Sequence, residues 1–519
     1  MIKTTDISVP PRFINDYGFL KKQAAKNLKL NFNEIKAVII TKRSIDSRKK
    51  PVFRLSVQTF INELPVKDII KFNFQPVKSN KKIIIVGSGP AGLFAALRAI
   101  ELGIKPVILE RGKNVRDRRF DLKSILQKGD VNQDSNYCFG EGGAGTYSDG
   151  KLYTRSNKRG NVKRIIDLLI YHGADENIGI DSHPHIGSNK LPKIIKAIRE
   201  TIIKCNGEFN FNAKVTDFII TGNKIQGVVI NNNKELSGDA VIVATGHSAR
   251  DIYKICKKYN LAMEAKPFAM GVRIEHPQFL IDSIQYHSKI RPVNLPAANY
   301  SLACQVNNKG VYSFCMCPGG MVIPASTNDD ELVLNGMSVS KRNSPFANSG
   351  LVVEVNEEDW KKYKVHGSLA GLMFQKELEH LAYNAGGGKQ IAPAQRITDF
   401  VNKRMSNSLP ATSYIPGIKS VPLHQIFPKE IVKRLSKSLL IFNKKMKGYF
   451  TSDAQILAVE SRTSSPVRIL RNRETLMHVD VEGLFPAGEG AGYAGGIVSA
   501  AIDGERCAEQ AVKFVNLNN

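Results

Sequence analysis

The chain has 519 residues, is 42% hydrophobic and carries a formal net charge of +27, which allows about two to four domains of a globular enzyme. The seven cysteines are odd in number and scattered apart from Cys315 and Cys317, and the first residues hold no apolar signal-type segment. These features exclude a disulfide-stapled secreted protein and predict a cytoplasmic one. The most apolar window, residues 83–100, is interrupted by glycine, proline and arginine, which excludes a membrane span.

The positive charge is concentrated near the start of the sequence. Residues 1–82 contain 18 Lys or Arg against 6 Asp or Glu, a net charge of +12. Basic surface attracts polyanions such as nucleic acid, and also small anionic substrates. The alternative is a lysine-rich solvated surface, because charge governs solubility and encounter rather than fold.

The first predicted elements form a small separate unit. Apolar residues recur at helical spacing over residues 13–30, which predicts an amphipathic helix. Residues 35–45 and 52–61 are rich in β-branched side chains and predict two strands. We therefore predict a small basic, ferredoxin-like α/β module over residues 1–78.

The stretch "KKIIIVGSGPAGLFAALRAIELGIKPVILERG", residues 81–112, predicts a strand, a glycine turn, a helix that stops at Gly103 and a second strand. The turn has the spacing G-x-G-x-x-G. In such a turn the first glycine permits a tight bend, the second lets the backbone approach a pyrophosphate, and the third lets the helix pack on the strand. The predicted cofactor-binding residues here are Gly87, Ser88, Gly89, Pro90, Ala91 and Gly92.

An acidic residue completes this dinucleotide-binding pattern. Glu110 follows the second strand, 18 residues after Gly92. A carboxylate in this position accepts hydrogen bonds from a free adenosine ribose. Arg111 comes directly after it, and we include both residues in the predicted cofactor site.

Residues 215–250 predict several short strands, with turns at 222–223 and 231–234, followed by an apolar strand over 240–244. Ala244, Thr245 and Gly246 end that strand and would let bare backbone pass close to the cofactor. We find no second G-x-G-x-x-G between a strand and a helix, so the sequence predicts no separate nicotinamide domain of that type.

Motifs along nearly the whole chain point to one group of flavoproteins. They include "GEGGAGTYSDGKL" (140–152), "VIVATGHSARD", "FCMCPGG", "NGMS", "ESRTSSPVRI" and "LFPAGEGAGYAGGIVSAAIDG" (484–504). With these motifs the chain resembles the glutathione-reductase-like, two-dinucleotide-fold superfamily, and within it the bacterial FAD-dependent dehydrogenases with a small N-terminal α/β module.

The resemblance implies an α/β fold with a discontinuous Rossmann-like FAD-binding domain and an inserted α+β substrate domain. The expected boundaries are 1–78 for the N-terminal module, 79–261 and 450–519 for the two parts of the FAD-binding domain, and 262–449 for the insertion.

The resemblance also implies further cofactor contacts. Backbone amides of Gly143, Ala144 and Gly145 would contact the flavin, and Thr146, Asp149 and Lys151 would make polar contacts to its phosphate or ring. The backbone of Val215 would meet the adenine, and Gly488 and Glu489 would lie near the ribityl chain and phosphate. Gly495, Gly496 and Ile497 would open a helix whose positive end stabilises negative charge on the flavin ring.

A few other residues have reactive or charged side chains whose roles can be interpreted in two ways. At strand spacing the thiols of Cys315 and Cys317 would face one side, about 6.6 Å apart. We interpret them as buried apolar thiols rather than a redox pair. His247 is a structural hydrogen-bonding residue or a proton donor, and Arg462 and Arg468 bind an anion or form ion pairs. We predict no metal site.

We therefore predict an FAD-dependent oxidoreductase that transfers a hydride between the flavin and a small organic substrate, with NADH or NADPH as the candidate electron donor. No catalytic residue is assigned. Two alternatives remain open. One is a flavin-dependent RNA-modifying enzyme that docks through its basic N-terminal module, and the other is a structural flavin with a module that binds a protein partner.

Overall fold

The computed structural model describes residues 1–66, 70–154 and 160–517. Its strands are β1 (Ile2–Val9), β2 (Ile35–Asp46), β3 (Val52–Ile61), β4 (Lys82–Val86), β5 (Lys105–Leu109), β6 (Glu208–Asn210), β7 (Val215–Thr221), β8 (Lys224–Ile230), β9 (Lys234–Ser237), β10 (Ala240–Val243), β11 (Met263–Ala265), β12 (Phe268–Pro277), β13 (Ala303–Val306), β14 (Lys309–Cys317), β15 (Met321–Pro324), β16 (Leu334–Met337), β17 (Phe346–Val355), β18 (Ala392–Arg396), β19 (Ile418–Ser420), β20 (Gln455–Glu460), β21 (Val467–Ile469) and β22 (Leu484–Pro486). Its α-helices are α1 (Tyr17–Leu28), α2 (Pro90–Glu101), α3 (Val115–Lys128), α4 (Val162–Tyr171), α5 (Leu191–Lys204), α6 (Arg250–Lys258), α7 (Gln278–Tyr286), α8 (Ala370–Gly386), α9 (Ile397–Val401), α10 (Lys429–Lys445) and α11 (Ile497–Leu517).

The N-terminal module consists of β1, α1, β2 and β3, with the strands in the antiparallel order β1-β3-β2. The predicted helix and two strands are confirmed, and the side chain of Asp16 caps the helix by accepting a hydrogen bond from the Phe19 amide. Strand β1 was not predicted. A complete ferredoxin-like fold has two helices and four strands, so the described elements match only its first four, and the ferredoxin-like assignment stays a prediction.

A five-stranded parallel sheet, in the order β22-β10-β4-β5-β6, forms the centre of the nucleotide-binding fold. The predicted strand-turn-helix-strand unit is confirmed as β4, α2 and β5. Apolar residues fill β4 because both faces of a parallel sheet are covered. Helices α2 and α11 pack against each other on this sheet, and their apolar residues share one core.

Distant parts of the chain supply this sheet. Strands β4 and β5 come first, β6 and β10 follow, and β22 is added after the large intervening segment. Between β6 and β10 lies a separate antiparallel sheet, β7-β8-β9, which confirms the strands predicted over residues 215–237.

The largest sheet has seven strands in the order β13-β14-β17-β12-β20-β18-β19. Its central strand β12 is buried along nearly its whole length. Strand β20 pairs with β12 and β18, although it lies beyond the predicted boundary at residue 449. We therefore propose that the second part of the FAD-binding domain begins after β20.

The N-terminal module shares its core with this large sheet. Buried residues of the module, such as Val9 and Leu55, belong to the same apolar cluster as Val272 and Leu351 of the sheet. The module also contacts the 175–182 segment, where the Arg43 side chain pairs with Asp181. None of the helices in the described ranges is long and apolar enough to span a membrane.

Candidate cofactor site

The glycine-rich segments meet at one edge of the parallel sheet. Val243 pairs with both Val86 and Pro486, so β4, β10 and β22 end side by side. In parallel α/β sheets, ligands bind in the crevice outside the carboxyl ends of the strands. The loops that follow these three strands contain three of the four glycine segments predicted to hold the cofactor, and the fourth is residues 143–145.

The turn after β4 is closed by two glycines. Gly87 has a φ of 102°, and a Cβ added there would lie 2.6 Å from the carbonyl oxygen of Ala244. A Cβ at Gly92 would overlap the carbonyl oxygen of Gly87 and would lie 3.2 Å from the Ile85 side chain. The fold itself therefore requires both glycines. Gly89 differs, because a Cβ there would meet only the Cα of Gly143, at 4.0 Å.

Residues 143–145 form a short 3₁₀ turn against the first glycine turn. The Gly142 amide donates to the Ser88 carbonyl oxygen at 3.0 Å, and a Cβ at Gly145 would lie 3.4 Å from the Ile497 side chain and 3.6 Å from Pro90. The structure thus brings residues from the early, middle and late segments together. Ala144 is exposed beside them.

The late loop, residues 487–496, lies across the same edge. The Gly488 amide donates to Asp503 Oδ2 at 2.7 Å, and a Cβ at Gly488 would lie 2.9 Å from that of Ala91. A Cβ at Gly490 would lie 2.5 Å from the carbonyl oxygen of Gly246. The loop therefore packs on both the first glycine turn and the turn after β10, where Ala244 and Thr245 lie.

Some of these glycines face open space rather than protein. Apart from the chain neighbours, no atom of the described residues lies within 4 Å of a Cβ added at Gly246, Gly495 or Gly496, and the last two lie immediately before Ile497, the first residue of α11. Bare backbone beside open space, next to the start of a long helix, suits the phosphates and ring of an extended dinucleotide. We call Gly89, Gly246, Gly495 and Gly496 the glycine cradle. These residues fit FAD.

Glu110 is buried, and its carboxylate already has protein partners. Oε2 accepts from the Ser88 amide at 3.0 Å and hydroxyl at 2.6 Å, and Oε1 accepts from the amides of Gly112 at 2.9 Å and Gly140 at 3.0 Å. A carboxylate has about four acceptor positions. Glu110 therefore fixes the glycine turn, and a ribose contact would share acceptors that the backbone uses.

The other predicted adenosine-side residues lie near Glu110. The Ala213 amide donates to the Glu110 carbonyl oxygen at 2.9 Å. This hydrogen bond places the buried Val215, two residues later, beside the end of β5. Arg111 lies over the Phe139 ring at 4.4 Å and pairs with Asp251. Neither residue is part of the glycine cradle.

Thr146, Asp149 and Lys151 have protein partners of their own. The Thr146 hydroxyl donates to the Glu141 carbonyl oxygen at 2.7 Å. Asp149 Oδ2 accepts from Arg342 at 2.6 Å and lies 3.3 Å from the Lys151 ammonium. Burial opposes ionisation of Asp149, but the charges of Lys151 and Arg342 outweigh it and hold its pKa below the usual range.

Lys151 extends to the two cysteines of β14. Its Nζ lies 3.6 Å from Cys315 Sγ and 3.5 Å from Cys317 Sγ. The Arg273 guanidinium donates to the Cys315 carbonyl oxygen at 2.9 Å and lies 3.5 Å from Cys317 Sγ. Cys317 is buried as expected, but the expectation of apolar surroundings for the two thiols is wrong. The sequence signal was the Cys-x-Cys spacing itself, but nothing in it indicated Lys151 as a partner.

Ionisation of the two thiols is unequal. The hydrogen bond from Cys317, aided by the charges of Lys151 and Arg273, lowers the pKa of Cys315 well below its usual range despite burial. The same hydrogen bond and burial raise the pKa of Cys317. The two directions favour negative charge on Cys315 over negative charge on Cys317.

His247 and Glu489 face each other next to the glycine cradle. His247 Nε2 lies 3.7 Å from Glu489 Oε1, and Nδ1 has no hydrogen-bond partner in the described part of the chain. Burial lowers the pKa of His247 to about 3 and raises that of Glu489 to about 7. The imidazole is therefore neutral at physiological pH, whereas Glu489 exchanges its proton there.

The two arginines of "ESRTSSPVRI" are both in ion pairs. Arg462 is buried and pairs with Glu331 at 2.5 Å and Glu379 at 3.0 Å, and Arg468 pairs with Glu264 at 2.6 Å near the surface. Arg468 thus forms a surface ion pair, as one of the two interpretations expects, whereas the ion pairs of Arg462 are buried. Within the described ranges, no three His, Cys, Asp or Glu side chains are grouped to hold a metal ion.

Comparison with known proteins finds relatives for most of the chain. Residues 267–463 match the domain family described as "FAD-dependent protein, C-terminal domain-like", and residues 1–60 match a domain of unknown function (DUF8436). A protein of Clostridium beijerinckii, described as uncharacterized, is 40% identical over 524 residues, which cover 97% of each chain.

Two of the matching solved structures are distant from this chain in sequence. A geranylgeranyl bacteriochlorophyll reductase-like protein of Thermoplasma acidophilum is 12% identical over 84% of this chain and 80% of its own, with a TM-score of 0.37. CtdE in complex with FAD is 12% identical over 85% of this chain and 88% of its own, with a TM-score of 0.32. Scores this low support no conclusion about this chain.

Proposed function

Since the chain belongs to the family of the Clostridium beijerinckii protein and residues 267–463 match an FAD-dependent protein domain, we propose that it is an FAD-dependent oxidoreductase. Its substrate is a small organic molecule that exchanges a hydride with the flavin. The observation that carries this proposal is the convergence of three glycine segments on one sheet edge, with bare backbone at Gly89, Gly246, Gly495 and Gly496.

The pyrophosphate end and the ring end of the proposed FAD site have different functions. Helix α2 begins at Pro90, which has no N–H, so the backbone amides of the next residues in its first turn would hold the pyrophosphate, and the start of α11 after Gly496 would hold the ring end. FAD, when bound, supplies reversible two-electron chemistry. The positive end of α11 and its free amides stabilise negative charge at that position.

Glu489 and His247 can handle a proton beside the cradle. Glu489 has a pKa of about 7, so it holds or releases a proton at neutral pH, and the His247 ring offers a neutral nitrogen within 3.7 Å. General acid–base groups work best with a pKa near the operating pH. We therefore assign Glu489 as the proton-exchanging residue of the cofactor site.

An anaerobic titration of the purified protein tests this proposal. The protein should carry FAD, and NADH or NADPH should bleach its absorbance near the flavin maxima, since one of them is the proposed electron donor. A colourless protein that does not bind added FAD would overturn the proposal. Flavin that neither nucleotide bleaches would favour a structural flavin.

The basic N-terminal module supports a second candidate, in which the substrate is RNA. The net charge of +12 over residues 1–82 is the observation that favours it. Deletion of the module is a poor test because the module shares its core with the large sheet. A better test replaces the exposed Lys22, Lys26 and Lys29 with glutamate. Salt-sensitive RNA binding that this variant loses would support RNA as the substrate, and absence of RNA binding by the unaltered protein would exclude it.

A further inference from the structure

Two thiols lie against one ammonium group, outside the glycine cradle. Lys151 follows the 143–145 turn, whereas Cys315 and Cys317 end strand β14 of the large sheet. The Lys151 Nζ contacts both sulfur atoms, at 3.6 and 3.5 Å. Structural cysteines are usually packed among apolar side chains, so the position of these two thiols against an ammonium group needs another explanation.

The groups around the thiols include more cations than carboxylates, which favours an ionised thiol. Lys151 and Arg342 share the single carboxylate of Asp149, whereas Arg273 pairs with Glu460. One positive charge is left over in a largely buried cluster, where unpaired charge is costly. A thiolate on Cys315 or Cys317 supplies the missing negative charge.

Other titratable groups also surround the cluster. Burial raises the pKa of Glu460 to about 7, against the charge of Arg273, and burial lowers the pKa of His185 beside Asp149. Both changes favour the uncharged form, so neither group removes the need for a thiolate. Negative charge on Cys315 would also raise the pKa of Glu489.

The backbone at Cys315 is unusual. Its φ is 45°, in the left-handed region that non-glycine residues rarely occupy, and the pairing of β14 with β17 shifts register between Phe314 and Cys317. Bulges of this kind redirect side chains and occur near active sites. Cys315 is partly exposed, whereas Cys317 is fully buried.

We propose that Cys315 and Cys317 form a thiol–disulfide exchange site for small disulfides, with Lys151 holding the attacking thiolate. Two features favour exchange over a single nucleophile. A second thiol lies beside the first, and the two sulfur atoms lie 3.6 and 3.5 Å from the same Lys151 Nζ, which holds them close to each other.

The exchange is balanced without another reactant. The Cys315 thiolate attacks one sulfur of a small disulfide, the substrate S–S bond breaks, and one substrate thiolate leaves. The Cys317 thiol then gives up its proton and attacks Cys315 Sγ, which forms the Cys315–Cys317 disulfide. The second substrate half leaves as a thiolate, and one of the two leaving thiolates takes the Cys317 proton. The two cysteines are oxidised and the substrate disulfide is reduced. Two small thiols reverse the reaction.

The first test measures thiol reactivity of the purified protein with iodoacetamide, by peptide mass spectrometry across pH. Cys315 should react at least about tenfold faster than Cys304 at pH 7, because Cys304 is a half-buried free cysteine whose pKa is raised by burial. Lys151→Met should move the midpoint of the Cys315 rate profile up by about one pH unit or more, and Lys151→Arg should restore it. Equal reactivity of Cys315 and Cys304 would overturn the proposal.

The second test adds hydroxyethyl disulfide and maps the products. The unaltered protein should form the Cys315–Cys317 disulfide, and Cys317→Ser should stop at the mixed disulfide on Cys315. Cys304→Ser is the matched control and should behave like the unaltered protein. A mixed disulfide that persists on the unaltered protein would show that Cys317 does not complete the exchange and would refute the pairing. Neither readout depends on flavin reduction, so the result is independent of the proposed oxidoreductase activity.

Discussion

Gly87 and Gly92 of the early turn and Gly495 and Gly496 at the end of the late loop use the same residue type for opposite purposes. In the early turn, an added Cβ at Gly87 or Gly92 would collide with backbone of the chain itself. In the late loop, Gly495 and Gly496 face open space. Glycine therefore closes the fold at the first position and keeps space free at the second.

The acidic residues of the two stretches differ in the same way. Glu110 beside the early turn is buried and accepts four hydrogen bonds from the chain. Glu489 in the late loop has a pKa near 7 and lies 3.7 Å from a neutral histidine. The early stretch is thus a structural support, and the late stretch is the chemically responsive side.

The largest effect is expected from Gly92→Val. Its side chain would overlap the Gly87 carbonyl oxygen and press on Ile85, neither of which can move without opening the turn. We expect a loss of at least about 3 kcal/mol in the free energy of unfolding, or no folded protein at all. Urea denaturation measures this. A variant with unchanged stability would show that the early glycine is not a packing requirement.

Glu110→Gln should have the next largest effect. The amide nitrogen of glutamine would face backbone N–H groups that now donate to a carboxylate oxygen. We expect a loss of about 2 kcal/mol in unfolding free energy, even without cofactor. Urea denaturation of the flavin-free protein checks this. If stability is unchanged and only FAD affinity falls, Glu110 serves the ribose rather than the turn.

Gly496→Val should weaken FAD binding without destabilising the fold. Its side chain would enter open space at the start of α11, so the unfolding free energy should change by less than about 1 kcal/mol. The dissociation constant of FAD should rise at least about tenfold, as measured by flavin fluorescence. Gly92→Val is the contrasting variant. Unchanged FAD affinity would show that the open space is not the cofactor site.

The smallest effect concerns pH. Burial raises the pKa of Glu489 in the folded state to about 7, above its value in the unfolded chain. Its contribution to stability is therefore present in acid and is lost as pH rises through about 7. Between pH 5 and pH 8, the free energy of unfolding of Glu489→Gln should rise by about 1 kcal/mol relative to that of the unaltered protein. The gain is no larger because the partial exposure of Glu489 limits its pKa shift. If the free energies of unfolding of the two proteins depend on pH in the same way, the raised pKa of Glu489 is contradicted.

Local signals in the sequence predicted the local structure. The apolar run of β4, the glycine turn and the helix α2 are encoded within one short stretch, and each was predicted. Strand β1 was missed because its burial comes from pairing at a sheet edge, and its apolar residues do not stand out. The pairing of β20 with β12, across the predicted boundary at residue 449, was not predicted because the two strands lie far apart in sequence.

The site was only partly predictable for the same reason. Spacing identified the glycines, but the ammonium of Lys151 reaches cysteines that are 164 and 166 residues away. No periodicity or motif encodes such a contact, since it depends on how the large sheet packs against the 143–151 segment. Asp149 likewise has a partner in Arg342 that only the tertiary fold provides.

The parallel sheet joins segments that leave the ribosome at very different times. β22 pairs with β10, and α11 lies so close to α2 that a Cβ at Gly504 would overlap the Ala91 carbonyl oxygen. Until residues 484–517 have been synthesised, the apolar surfaces they cover on β10 and α2 are exposed. Nascent chains with such surfaces aggregate or bind chaperones. We expect the nascent chain to require such protection until β22 and α11 have been synthesised.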